Sequence, residues 1–176
     1  IKQNTKPGRE EEFFVNQIIG KIVRNWTHFA SKYGLLLELH GQNTLLELNV
    51  KMKPQRIVHR DFQSIYVDQE IRNQNGLPTP FNKHLVGEEA GTDRAKQFSI
   101  AYDHQVGDYL FDRLTKTFRT YYPQISYEQI TGKIKQMFRQ GFPDYKVVFP
   151  KETWTYGQQV ENDVNLIIKH PEPIFR

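Results

Sequence analysis

Leu35-Leu36-Leu37-Glu38-Leu39-His40-Gly41-Gln42-Asn43-Thr44-Leu45-Leu46-Glu47-Leu48-Asn49-Val50 is the stretch that decides the fold. Apolar and polar residues alternate from Leu37 to His40, the period of a strand with one buried face. On such a strand Glu38 and His40 share the face opposite Leu37 and Leu39. Gly41-Gln42-Asn43 interrupts the run, which then resumes. Lys53-Pro54-Gln55 reads as a turn. Arg56 to Val67 is again rich in β-branched and aromatic residues, so residues 35–67 predict an antiparallel β-hairpin.

Working outward, Phe14, Ile18, Ile22, Trp26, Phe29 and Tyr33 recur at helical spacing. They predict a long amphipathic helix from Arg9 to Tyr33 with Gly34 as its stop. Glu10, Glu11 and Glu12 suit its positive N-terminal end. Residues 69–92 hold Gly76, Pro78, Pro80, Gly87 and Gly91 without periodicity, and read as a long functional loop. Asp93 to Tyr121 is helical, in one piece or two. Ser126 and Gln129 match a capping box opening another helix, which Gly141-Phe142-Pro143 ends. A short strand at 147–149 and another at 164–168 complete the reading. The fold class is α+β: a long helix, an antiparallel hairpin and a helical C-terminal half.

Composition bounds function. The 176 residues carry 24 basic and 20 acidic side chains, a formal charge of +4. The basic residues are scattered, which argues against a nucleic-acid footprint. No apolar run is long enough to span a membrane. Cysteine is absent, which removes disulfides, zinc–thiolate sites, thiol nucleophiles and cysteine-held iron–sulfur clusters and fits a cytoplasmic protein. The polar start without Met suggests residues 1–8 as a lead-in, with 9–176 as one domain cut from a longer chain.

Two polar clusters stand in apolar surroundings: Glu38, His40, Gln42 and Asn43, and then Arg60 and Asp61. Carboxylates are hard ligands for magnesium. Gln and Asn supply neutral oxygens or donate to phosphate. His and Arg hold anions, Arg in a two-pronged fashion. The hairpin would bring the clusters face to face, as a magnesium–nucleotide site or as a satisfied structural network.

Glu38-Leu39-His40-Gly41-Gln42-Asn43-Thr44-Leu45, with Tyr33-Gly34 before it and Arg60-Asp61-Phe62 after it, resembles the E-x-H-x-Q-N … R-D-F signature of the aerobactin-synthetase (IucA/IucC) family of siderophore synthetases. The resemblance covers residues 13–68 best and weakens beyond Pro150. It implies the palm-like C-terminal region of a hand-shaped, homodimeric ligase. Such a ligase adenylates a citrate-like carboxylate with ATP and magnesium and then joins it to an amine or alcohol. It further implies Glu38 and Asp61 as magnesium ligands, Gln42, Asn43 and His40 at the nucleotide, and His40 and Arg60 as catalytic groups on phosphate or carboxylate. The family's phosphate clamp precedes the signature, so this chain alone would lack the activity.

Other signals weigh less. His59-Arg60-Asp61-Phe62 imitates a kinase catalytic loop, but the Asn required five residues after the Asp is Tyr66. Gly20-Lys21 and Gly132-Lys133 lack the earlier glycine of a phosphate-binding loop. His84, His104 and His170 are isolated, and the Asn25-Trp26-Thr27 sequon falls in a helix. Two further functional classes remain: a non-catalytic interaction or dimerisation domain, and a domain like the ferric-siderophore reductases, without the cysteines that hold their cluster.

Overall fold

The computed structural model describes residues 1, 4–61, 65–78, 93–158 and 165–176. Helix α1 is continuous through Glu10–Phe13, a π-helical stretch Phe14–Ile19, and Gly20–Tyr33. It buries Phe14, Val15, Ile19, Ile22, Val23, Trp26 and Ala30. The widened π turn shifts the stripe, so Ile18 and Phe29 are only partly buried and Tyr33 is exposed. Gly34 ends the helix in the left-handed region, φ 60°. A side chain there would overlap the Asp68 carbonyl oxygen, so the position needs glycine twice over.

The hairpin is present but broken. Strand β1 (Leu35–Leu36) pairs antiparallel with β4 (Tyr66–Val67), and β2 (Thr44–Leu48) with β3 (Pro54–His59). The turn lies at 49–53, anchored by Asn49, whose side chain accepts from the Lys51 and Lys53 amides. The expected turn at Lys53-Pro54-Gln55 is therefore displaced: Pro54 opens β3, a place where its missing N–H costs no ladder bond. Residues 37–43 are irregular, which corrects the expectation of a strand through Glu38 and His40. The alternation nevertheless survives in burial, with Leu37 and Leu39 in the core. Trp26 Nε1 donates to the Leu37 carbonyl at 3.0 Å, pinning the start of this irregular segment to the core.

Helix α2 (Gln69–Gln74) occupies part of the expected loop. Asp68 caps it by accepting from the Ile71 amide at 2.8 Å, and pairs with Arg94 at 2.6 Å. Residues 79–92 of that expected loop lie outside the described residues. Helix α3 is continuous through Arg94–Ser99, a thirteen-residue π-helical run Ile100–Asp112, and Arg113–Tyr121. Helix α4 (Tyr127–Gly141) begins with the capping box expected at Ser126 and Gln129. Residues 147–149, expected as a strand, instead end the one-turn helix α5 (Tyr145–Val148), with Phe149 following it. Strands β5 (Thr153–Tyr156) and β6 (Leu166–His170) pair antiparallel. The class is α+β, as the sequence predicts.

The core gathers around Trp26, Tyr102, Phe138 and Phe149 between α1, α3 and α4. The final residues close it. Phe175 packs on Phe111, and Arg176 donates from Nε to both Asp103 carboxylate oxygens at 2.9 Å. Ser99 adds a 2.6 Å hydrogen bond to the same carboxylate. Burial pushes the Asp103 pKa up to about 6 even with Arg176 beside it.

Candidate functional site

The irregular segment 37–43 forms one wall of a cavity of about 700 Å3; the exposed face of α3 forms the other. Glu38, His40 and Gln42 come from the first wall, and Tyr109, Arg113 and Thr117 from the second. The latter three stand four residues apart, so one helix face presents all of them. The volume lies within the range usual for small-molecule sites.

The first wall is held by its own side chains. Glu38 Oε1 accepts from Gln105 Nε2 on α3 at 2.8 Å. The Gln42 amide donates to His40 Nδ1 at 3.3 Å, and the Asn43 side-chain amide meets His40 Nε2 at 3.2 Å. Arg60 reaches across the hairpin: its Nε donates to the Gln42 carbonyl at 2.6 Å, and its backbone N–H to the Asn43 carbonyl at 3.2 Å. The two polar clusters do meet, as the hairpin reading requires. Arg60 meets the backbone of the first cluster, however, and Arg60 and Asp61 do not line the cavity. Asn43 is buried behind it. Asp61 is exposed and sits at φ 63°, uncommon for a residue other than glycine. No three His, Asp or Glu among the described residues cluster as a metal site.

The second wall carries the free charge. Arg113 lies 5.6 Å from the Tyr109 ring centre as a cation–π pair. Among the described residues its guanidinium has no hydrogen bond or ion pair, unlike Lys116 with Asp112 and Lys169 with Asp108, each at 2.8 Å. Burial alone would raise Asp108, but hydrogen bonds from His104 and Lys169 outweigh it and hold the carboxyl below its ordinary range. A guanidinium with no hydrogen bond or ion pair among the described residues, lining one cavity with a histidine and a primary amide, adds donors that oxygen acceptors can use.

Sequence reading finds Glu38, His40 and Gln42 and misses Tyr109, Arg113, Thr117 and Gln105. The spacing of four from Tyr109 to Arg113 to Thr117 was the available signal. Nothing in it indicates that this face meets residues 38–42.

Fold and site define a class: an α+β domain with a cavity between residues 38–42 and α3 into which Glu38, His40, Gln42, Tyr109 and Arg113 contribute. The chain belongs to the FhuF-like ferric iron reductase family, since the family model described as "Ferric iron reductase FhuF-like transporter" matches residues 12–118. No curated protein matches the chain. The family match overturns the resemblance to aerobactin synthetases and, with it, siderophore synthesis by ATP-dependent adenylation and ligation. The physical reason for the misreading is visible. Glu38-x-His40-x-Gln42-Asn43 with Arg60 builds a loop bonded largely to itself, and such a loop does not specify a nucleotide. No helix among the described residues is long and apolar enough to cross a membrane.

Proposed function

We propose that this chain is the chelate-binding domain of a ferric-siderophore reductase-like protein, holding an anionic ferric chelate between residues 38–42 and α3. The observation that carries this is the span of the family match: residues 12–118 include both walls of the cavity. A ferric siderophore complex presents carboxylate, carbonyl or hydroxamate oxygens outward. Arg113 neutralises its charge, while Gln42 and Tyr109 supply directional hydrogen bonds and His40, bonded through both ring nitrogens to Gln42 and Asn43, holds that loop in place. Glu38, tied to Gln105, accepts from amide N–H groups of the chelator.

Reductases of this kind hold an iron–sulfur cluster through cysteines. The residues of this chain do not fit such a cluster, since none of the 176 is cysteine. The role assigned to them is to bind and orient the ferric chelate and to offset its charge; no step is assigned to a cluster.

Calorimetric titration with a ferric carboxylate or hydroxamate chelate tests the proposal. Arg113→Ala should weaken binding by about tenfold or more, the effect of one charge-assisted hydrogen bond. Equal affinity of wild type and variant, or no binding by either, would overturn it.

A further inference from the structure

A second cavity, about 570 Å3, adjoins the first along α3. Leu114 and Thr117 line both. Beyond them the character of the surface changes. The second cavity is walled by Ile1, by Phe14 and Ile18 of α1 and by Phe118 and Tyr121 of α3, and none of these side chains bears a charge. Its floor is aromatic: Phe14 and Phe118 stack with ring centres 4.3 Å apart, and Phe118 stacks on Tyr122 at 4.7 Å. Tyr121 stands at the rim, 69% exposed.

The stripe Leu110, Leu114, Phe118 and Tyr121 explains this continuity. These residues follow one another at spacings of three and four along α3, so a single helix face runs under both cavities. A ligand lying along that face would meet Arg113, His40 and Gln42 at one end and aromatic and aliphatic side chains at the other. A compact, fully polar chelate would fill only the first end and leave the second in water.

We infer that the chelate bound here is amphiphilic: its iron-holding head sits against Arg113 and residues 38–42, and an acyl or aryl arm of the same molecule lies in the apolar groove between Ile18 and Tyr121. This rests on the reading of the first cavity as the ferric-chelate site. The commitment to one occupant comes from Leu114 and Thr117, which line both cavities, and from the contrast between the charged and polar side chains of the first cavity and the uncharged side chains of the second.

The test uses two ferric complexes of citrate mono-amides, one with a methyl and one with a dodecyl group, below the micellar concentration of the latter. Wild type should bind the dodecyl complex at least about tenfold more tightly, since burying a few methylenes supplies that factor. Tyr121→Asp, at an exposed rim position, and Ile18→Ser should each cut that preference at least about threefold while leaving the methyl complex unaffected. Arg113→Ala should weaken both complexes alike. Equal affinity for the two complexes, with binding still dependent on Arg113, would overturn the groove while the chelate site stands. A dodecyl preference insensitive to both groove variants would overturn it too. If neither complex binds, the chelate site itself fails and the groove with it.

Discussion

Gln105 donates a 2.8 Å hydrogen bond to Glu38, joining the π-helical run of α3 to the irregular segment that walls the cavity. Glu38 is half-buried and lines the site, whereas Gln105 is buried behind it. The carboxylate is therefore aimed from the core. A helix with ordinary α geometry would carry residue 105 at a different angle, so the π run and the site wall are linked.

Replacing Gln105 separates stability from binding. Gln105→Leu loses a hydrogen bond to a charged group, which costs about 1.5–3 kcal/mol. It also removes Gln105 Oε1, which is buried without a partner among the described residues and costs about 1–3 kcal/mol to leave so. The two offset, so urea denaturation should show a net change below about 1 kcal/mol. Affinity for the ferric chelate should nonetheless fall several-fold. Gln105→Glu sets two carboxylates together and should destabilise more than Gln105→Leu. The reverse order would contradict the arrangement.

Gly34→Ala should be among the most damaging single changes outside the core. The position is left-handed, and an added Cβ overlaps the Asp68 carbonyl, whose residue caps α2 and pairs with Arg94. Strain and overlap together should cost about 2 kcal/mol or more, read as a lowered midpoint in thermal or urea unfolding. A change within about 0.5 kcal/mol, the range of an ordinary surface site, would contradict it.

The long helix α1, its stop at Gly34, the hairpin and the capping box at Ser126 were legible because each rests on local chemistry: periodicity, a positive φ, a side-chain-to-backbone bond. What was not legible depends on contacts distant in sequence. Arg113 is one of 24 basic residues, and only the fold shows that among the described residues its guanidinium makes no hydrogen bond or ion pair and that it lines one cavity with His40. The helix at Tyr145–Val148 has β-branched residues, and packing of Tyr145 and Val148 on the core overrides their strand preference. Phe175 and Arg176 follow two prolines without any period, yet both are buried against α3. The functional misreading has the same root: the motif at residues 38–43 is clear in sequence, whereas the wall opposite it is not.

Asp103 should give the protein an unusual pH response. Its folded pKa, about 6, lies above the ordinary 3.8, so the folded state holds a proton that the unfolded state has lost between those values. The stability it contributes is fully present below the lower value and is lost as pH rises through about 6, the reverse of an ordinary paired carboxylate. The gap corresponds to on the order of 3 kcal/mol. The stability of wild type relative to Asp103→Asn should therefore fall between pH 4 and 7, read by urea denaturation at each pH. A carbon-13 titration of the Asp103 carboxyl with a midpoint below its ordinary 3.8 would contradict this.

Paramagnetic relaxation tests the central claim most directly. Ferric iron broadens nearby amide resonances, whereas gallium(III) in the same chelate is diamagnetic and serves as the control. If the chelate sits between residues 38–42 and α3, the amides of His40, Gly41, Gln42, Tyr109 and Arg113 should broaden with the ferric complex and stay sharp with the gallium complex. At a chelate concentration near the wild-type Kd, Arg113→Ala should sharply reduce the broadening. Broadening centred elsewhere on the protein, or none at saturating chelate, would contradict the account.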